Sequence, residues 1–559
     1  MQLVAYGAQD VYLSGNPQIT FFKVVYRRHT NFSVEPIPQT WNGVGEFGRT
    51  VTCNINRNGD LITNMYLVAE LAETKLDNNT VSWGYVRRLG HALVQSAKVE
   101  IGGSQIDMQY GDWLNVWYEL THKTGQEHGY AQMIGDTPAL KTLSVANKPA
   151  TTLYVPLQFW FNRNNGLALP LIALQYHDVR ITVVLNDRMS CVNWVGKSKP
   201  ALGPTGMDDC YLLIDYVYLD SEERKRFAQA SHEYLIEQLQ YTGVESLSGA
   251  NNKYRLNFNH PCKFLAWVPH MSRHLNGSQW LAYGENGDWS VARDTFAKLI
   301  ALSAQKTLAV AADGKVTAHS THTTGSFALD STFATTTAPL PPALKALFEK
   351  VDVHVLNAVV DTSSAELGDT VSLTLNNLSV LRNELTMEDL SLNVEDVLSV
   401  VLKDAPAANK TAIQSFIDVV AVNVQDQFNY GNYVDGTDNP VYNGRLQLNG
   451  HDRFQDRDGN YFNYVQPYQH FSNTPCDGVN VYSFALKPED HQPTGSCNFS
   501  RIDNATLIVD CGQKNRAFTS NGFKSRNGVL SDGSVLNIYT VNYNVLRVMS
   551  GMAGTAYSN

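Results

Sequence analysis

Short runs of β-branched and aromatic residues, cut off by turn-forming pairs, recur along most of this chain. Val179-Arg180-Ile181-Thr182-Val183-Val184-Leu185 and Val535-Leu536-Asn537-Ile538-Tyr539-Thr540-Val541 have the composition of buried or half-buried strands. Tyr211 to Leu219 is a longer apolar run of the same kind. Nine Asn-Gly pairs (at Asn42, Asn58, Asn165, Asn276, Asn286, Asn443, Asn449, Asn521 and Asn527) and five Asp-Gly pairs (at Asp313, Asp435, Asp458, Asp477 and Asp532) supply the positive φ angles of tight hairpins. Strands do not alternate with long helical patterns, which argues against a doubly wound α/β sheet and for an all-β chain of short antiparallel strands. Trp113 and Trp117 stand at helical spacing, and with Phe159-Trp160-Phe161 they read as core ahead of interface.

The segment from Gln492 to Asn504 is architectural in character. Pro493 and Gly495 mark a turn. Cys497, Phe499 and Ile502 then predict a strand continuing through Ala505-Thr506-Leu507-Ile508-Val509, with Arg501 and Asp503 on one face.

A chain of 559 residues exceeds the roughly 250 to 300 at which one hydrophobic core stops growing, so two domains are expected. The first runs from about Lys23 to Leu219. A charged junction follows, in which Ser221-Glu222-Glu223-Arg224-Lys225-Arg226-Phe227 predicts a short helix with Ser221 as its cap and acids in its first turn. The second domain begins near Tyr241 and is interrupted between about Gln279 and Val424 by material of different composition. Ser303 to Pro342 is rich in Ala, Thr and Ser and reads as exposed or disordered loop. Leu344, Leu347 and Phe348, and Leu390, Val394, Val397, Leu398 and Val401, fall at helical spacing, while Val371 to Leu375 alternates like a strand. The insertion is therefore expected to be a small mixed α/β subdomain.

Charge and cysteine usage narrow the function classes. The net charge of −10, without a long basic tract, argues against direct genome wrapping. Seven cysteines form neither a CxxC pair nor metal-like spacing, and reduced thiols in a cytosolic setting are the simplest account. No secretory start and no apolar run of about 18 residues is evident, so the product is expected to be soluble before assembly.

Several apparent catalytic motifs fail on context. Gly43-Val44-Gly45-Glu46-Phe47-Gly48 spells a dinucleotide fingerprint, but strand-like Arg49 to Ile55 follows where a helix should begin. Gly196-Lys197-Ser198 ends like a phosphate loop, yet Cys191 occupies the first glycine position. Asp456-Arg457-Asp458-Gly459-Asn460 has too few carboxylates for a calcium loop and reads as a tight hairpin. His177, His232 and His451 each adjoin an acid, but neighbours on a strand point apart, so structural roles are favoured. Neither catalysis nor a cofactor or metal is expected.

Six segments carry a resemblance in family order. They are Gly7 to Lys23, Leu167-Ala168-Leu169-Pro170-Leu171-Ile172-Ala173-Leu174-Gln175, Ser231 to Gln238, Asn449-Gly450-His451-Asp452-Arg453-Phe454, Val481 to Pro488, and Gln492 to Asn504. Together they resemble the major capsid proteins of the nucleocytoplasmic large DNA viruses. The resemblance implies two consecutive eight-stranded jelly rolls with the insertion in the second: an N-terminal arm over 1–22, a first roll over 23–220, a connecting helix over 221–240 and a second roll over 241–559. It further implies homotrimeric, pseudo-hexagonal capsomers tiling an icosahedral shell assembled in the host cytoplasm. Neighbouring capsomers, penton proteins and minor capsid proteins would be the partners, with an internal membrane met only indirectly and no direct nucleic acid. Within the arm, Gln9, Asp10, Phe21 and Phe22 are the assembly candidates, since an arm has little core of its own to hold aromatics. By the same resemblance the insertion of about 279–424 faces outward. Without a secretory start the usual glycosylation machinery does not meet the seven Asn-x-Ser/Thr sequons, and Asn276, Asn377 and Asn409, beside or inside the insertion, are the sites favoured if glycans are added. Two rivals stand beside this reading: a glycan-binding or glycan-cleaving protein built on paired jelly rolls, and an internal scaffold protein with the same double fold.

Overall fold

The computed structural model describes residues 29–275 and 425–557 apart from 77–80, 196–198, 205, 248–250, 432–435, 437 and 512–532, together with 8, 9, 15 and 16 of the arm and short strand segments between 309 and 423. The first half supplies eight principal strands: β1 (Phe32–Thr40), β2 (Thr50–Asn54), β3 (Leu61–Leu71), β4 (Val94–Ile101), β5 (Ser104–Tyr110), β6 (Thr151–Pro156), β7 (Val179–Leu185) and β8 (Met207–Leu219). They pair antiparallel in two sheets, ordered β1-β8-β3-β6 and β2-β7-β4-β5, which is the strand order of a jelly roll. The connection between β5 and β6 carries helices α1 (Gly111–Thr121) and α2 (Glu127–Ile134). Alternation builds the core. Met65, Leu67 and Ala69 of β3 with Leu212, Ile214 and Tyr216 of β8 point at Val51 and Cys53 of β2, Val99 of β4 and Ile181 and Val183 of β7, all buried in one cluster. Each of the Val, Leu, Ile and Met side chains among them contributes roughly 1.5–3 kcal/mol on leaving water.

The second half repeats the arrangement with β9 (His232–Ser246), β10 (Asn252–Arg255), β11 (Pro261–His270), β12 (Val441–Leu448), β13 (His451–Asp452), β14 (Asn480–Ser483), β15 (Ala505–Cys511) and β16 (Val535–Met549). Its sheets run β9-β16-β11-β14 and β10-β15-β12-β13. The chain is thus a double jelly roll, as expected, with the insertion falling between β11 and β12. Described parts of that insertion include antiparallel pairs such as 325–328 with 370–373, so strand forms at Val371 as the alternation predicts. The helical spacings at Leu344 and Leu390 lie outside the described residues.

β11 is nearly continuously buried because it serves two cores. Leu265 and Trp267 face the second roll's interior, whereas Phe264, Ala266 and Val268 join the cluster of the first. A sheet covered on both sides loses the polar alternation of a half-solvated one.

Four local expectations need correction. The connecting segment is shorter than 221–240: helix α3 (Ser221–Gln229) ends and β9 begins at His232, where pairing with Val548 of β16 captures the backbone. The cap of α3 is Asp220, whose Oδ1 accepts from Ser221 N at 2.7 Å, so Ser221 is the first helical residue and Glu222 and Glu223 occupy the first turn. The strand expected from Cys497 onward is broken: Cys497–Asn498 bridges to β11, Phe499–Arg501 is a 3-10 turn, and only Ala505 starts β15. Asn498 Oδ1 accepts from Ser500 N at 3.1 Å and stabilises that turn, so Arg501 and Asp503 do not share a strand face. Likewise Arg457–Asp458 is a short strand pairing with Asn443 and Gly444, not a hairpin tip.

Helix α3 is fastened to the first roll by the buried Asp60. Its carboxylate accepts from Leu219 N at 2.9 Å and pairs with Arg224 Nε at 3.0 Å. Asp60→Ala leaves that amide without its acceptor and is expected to cost roughly 1–3 kcal/mol, read as a lower urea midpoint at unchanged slope. An unshifted midpoint would show that the linker is held by other contacts.

Candidate functional site

The two rolls meet through several buried, hydrogen-bonded polar groups. The hub is Asp112, in the first turn of α1, with all its side-chain partners in the second roll. Tyr430 and Tyr539 donate their hydroxyls to Asp112 at 2.7 Å each, Asn537 Nδ2 donates at 3.1 Å, and His270 Nε2 lies at 3.1 Å. Burial opposes ionisation of this carboxyl, but His270 and the tyrosine hydrogen bonds outweigh it and hold the pKa below its ordinary value. The next residue, Trp113, stacks against Phe264 at 6.2 Å and meets Tyr539 at 5.4 Å. Asn115 donates to the Tyr430 hydroxyl at 3.0 Å, and Glu119 pairs with Arg88 at 2.5 Å while accepting from Cys476 N at 3.2 Å.

A second buried group lies farther along the junction. Glu237 of β9 binds Lys263 Nζ at 2.8 Å and Arg163 Nη2 at 2.9 Å, and Lys263 also donates to the Asp490 carbonyl at 2.9 Å. Burial raises the pKa of Glu237, but Arg163, His491 and Lys263 together bring it down to about 2. Asp107 of β5 accepts from Leu239 N at 2.9 Å, and its burial pushes the carboxyl up to about 6.

A cleft of ≈ 240 Å³ opens beside Glu237, lined in part by Trp160, Arg163, Glu489 and His491. Two of its three acids, Glu237 and Glu489, are committed to structure, and the third, Asp490, lies beside them. Glu237 is ion-paired, and Glu489 accepts from both the amide and the hydroxyl of Ser472 at 2.5 Å. A glycosidase needs an acid with a raised pKa opposite a free carboxylate, and Glu237 is shifted the other way. Among the described residues no group of acids, histidines and cysteines is arranged to hold a metal.

Of the residues singled out in the sequence, Gln9 lies in an exposed turn, while Asp10, Phe21, Phe22, Asn276, Asn377 and Asn409 lie outside the described residues. His177 and His232 bond to backbone, His177 with Ala553 O at 3.0 Å and His232 with Phe227 O at 2.8 Å. Trp113, Trp117, Phe159, Trp160 and Phe161 are all buried. Sequence reasoning did not find Asp112 or Glu237. An acid beside Trp113 at a helix start was the available signal, but the partners of Asp112 lie more than 150 residues away in the chain.

The comparisons agree with this architecture. Residues 20–220 match the family model described as "Major capsid protein N-terminus", and residues 223–554 match "Large eukaryotic DNA virus major capsid protein". The chain is 41% identical to "Capsid protein 1" of Acanthamoeba polyphaga mimivirus and 41% identical to the major capsid protein of Phaeocystis pouchetii virus, each alignment covering 100% of this chain and 99% of the relative. Among solved structures, PBCV-1 VP54, fitted into a reconstruction of the virophage Sputnik, is similar with a TM-score of 0.59 and 31% identity over 97% of this chain and 100% of that one. The faustovirus major capsid protein shares the fold with a TM-score of 0.58 at 12% identity, over 97% of this chain and 94% of that one. Two matching family models that together span nearly the whole chain, on a double jelly roll, place the chain in the family of major capsid proteins of large eukaryotic DNA viruses.

Proposed function

We propose that the chain forms homotrimeric, pseudo-hexagonal capsomers that tile an icosahedral shell, with the insertion outward and the N-terminal arm inward. The observation that carries this reading is the polarity of the molecule. Successive jelly-roll strands run in opposite directions, so the connections β1–β2, β3–β4, β5–β6 and β7–β8 emerge at one end of the first roll, and the others at the opposite end. The insertion shares the first end. Its two ends close on each other through Asp426 N and His274 O at 2.9 Å, and Val422–Asn423 pairs with Val195 and Trp194 in the β7–β8 connection.

The opposite end gathers the start of β1, the linker helix and the C-terminal tail, whose Gly551 carbonyl accepts from Tyr176 N at 2.9 Å. A unit with an elaborated end and a plain end suits a shell that faces host surfaces on one side and internal components on the other. Neighbouring capsomers and penton proteins would meet its flanks, and minor capsid proteins its plain end. An internal membrane would be reached only through those proteins, and a net charge of −10 disfavours direct contact with nucleic acid. Assembly in the host cytoplasm accords with cysteines that are all unpaired. Asn276, Asn377 and Asn409 would then be displayed outward for glycosylation.

Light scattering of the purified chain tests the building block. The expected mass is about 186 kDa, three times 62.1 kDa. A species of one chain mass at micromolar concentration would contradict a preformed trimer.

A further inference from the structure

We infer that Cys262 and Cys497 form a redox-sensitive disulfide within the second roll, open while the shell is built in a reducing cytosol and closed when the particle reaches an oxidising medium. The timing rests on the cytoplasmic assembly proposed above, whereas the pairing lies within one chain and is independent of how copies associate.

Register puts the two thiols together. The short strand Cys497–Asn498 pairs antiparallel with the start of β11, with Cys497 directly opposite Cys262 and Asn498 opposite Pro261. Phe499 N donates to His260 O at 3.1 Å and carries the same register one residue farther. Directly opposite residues of an antiparallel pair have Cα atoms about 4.5–5.5 Å apart and side chains on one face, inside the roughly 4.4–6.8 Å that a disulfide spans. Both side chains pack in the second roll's interior cluster, as a shared face requires. The other strand cysteines have no such neighbour: Cys53 stands opposite Ile181, Cys210 opposite Ala69 and Cys511 opposite Val441.

Exposure divides the chemistry between the two. Cys262 is fully buried, its Sγ donating to the carbonyls of Asn259 and His260 at 3.6 Å each, and burial pushes its thiol up to about 12. It is therefore protonated and shielded at neutral pH. Cys497 is only half-buried, between the exposed Ser496 and Asn498, so an oxidant reaches it first. With oxidised glutathione as the oxidant, the Cys497 thiolate attacks one sulfur, forming a mixed disulfide and releasing one glutathione. The Cys262 sulfur then attacks Cys497 Sγ and displaces the second glutathione. Each departing glutathione takes up the proton that a protein thiol gave up, so two protein thiols are oxidised as one glutathione disulfide is reduced.

The bond also has a structural consequence. Cys497–Asn498 is held to β11 by two paired residues and ends the 484–496 loop, whose Asp490 carbonyl accepts from Lys263 and whose His491 lies 3.5 Å from Glu237. Closing the disulfide fixes the end of that loop to the strand carrying Lys263, beside the junction of the rolls. Cys262 and Cys497 bracket the whole insertion, so the bond closes a very long loop and constrains the unfolded chain accordingly.

The test equilibrates the full chain in glutathione buffers of rising oxidised fraction, then denatures and alkylates it and counts free thiols by intact mass. All seven thiols should be alkylated when reduced glutathione is in large excess, and two fewer when the oxidised form is, with both recovered by a phosphine reductant. The oxidised chain should also show a higher urea midpoint than the reduced one. Cys497→Ser should lose no thiol and show no such shift. Cys262→Ala should stop at the mixed disulfide, with one thiol blocked and the mass of glutathione added. A wild type that keeps all seven thiols at every ratio, or that carries only glutathione adducts, overturns the pairing, as does loss of two thiols from Cys497→Ser. Loss of two thiols from wild type already in excess reduced glutathione overturns the switch. Thiols are counted per chain, so a monomeric protein gives the same answer and failure of the trimer leaves the disulfide standing.

Discussion

Asp112→Ala is expected to lower the unfolding free energy by roughly 3–5 kcal/mol, among the largest losses available to a single substitution outside the apolar core. The carboxylate is engaged by His270, Tyr430, Asn537 and Tyr539, all from the other roll, so its removal leaves several buried polar groups without their shared acceptor. Denaturant unfolding followed by tryptophan fluorescence reads the effect, since Trp113 is the neighbouring residue and stacks across the same junction. A loss below about 1 kcal/mol would mean that apolar packing alone fixes the rolls to each other. Asp112→Asn should recover part of the loss, because the amide oxygen still accepts from the tyrosines.

Glu237→Ala should be comparably severe, at roughly 3–5 kcal/mol, because it leaves Lys263, which is fully buried, with a charge no longer compensated. Replacing both, as Glu237→Leu with Lys263→Met, should cost much less than the single change. The acid also sets a pH dependence. Its folded pKa of about 2 lies below the ordinary glutamate value near 4.3, so its contribution is present above that value and is lost as pH falls from about 4 towards 2. Asp112, also shifted down, adds to the same acid limb. Asp107 runs the other way: its carboxyl is raised to about 6, so its favourable contribution is complete below about 4 and disappears as pH rises through 6. Urea midpoints from pH 2 to 7 would reveal both limbs, and in Glu237→Ala the acid limb should be shallower. An unchanged acid limb in that variant would contradict the assignment.

Much of the fold was legible because the strands obey short-range rules. Val179–Leu185 and Tyr211–Leu219 are strands as their composition indicates, and Trp113 and Trp117 lie on one helix. Turn pairs were informative but not decisive. Asn449-Gly450 makes a two-residue hairpin with both φ positive, whereas Asn443-Gly444 sits inside β12, where ladder pairing with β15 and the packing of Phe462 against Gly444 override the local preference. The same turn role falls to Gly102-Gly103 and Ser550-Gly551, pairs not counted as signals. The break at Phe499 was missed because apolar residues in a 3-10 turn read like those of a strand.

The junction was the least legible part. Nothing near Asp112 in the sequence indicates that Tyr430 and Tyr539 will reach it, because contacts of this separation are set by how two folded units dock. The run Phe264-Leu265-Ala266-Trp267-Val268, apolar at successive positions, was a hint of the junction, since a strand apolar on both faces needs a second layer. The resemblance to capsid proteins supplied the double roll and its order, but it said nothing of which side chains fasten one roll to the other.

Electron cryomicroscopy of the purified assembly tests the capsomer most directly. The expected result is a three-fold particle of six jelly rolls with a hexagonal outline, density for residues 276–424 on one face and the start of β1 on the other. A particle of different symmetry, or one with the insertion and the arm on the same face, would contradict it.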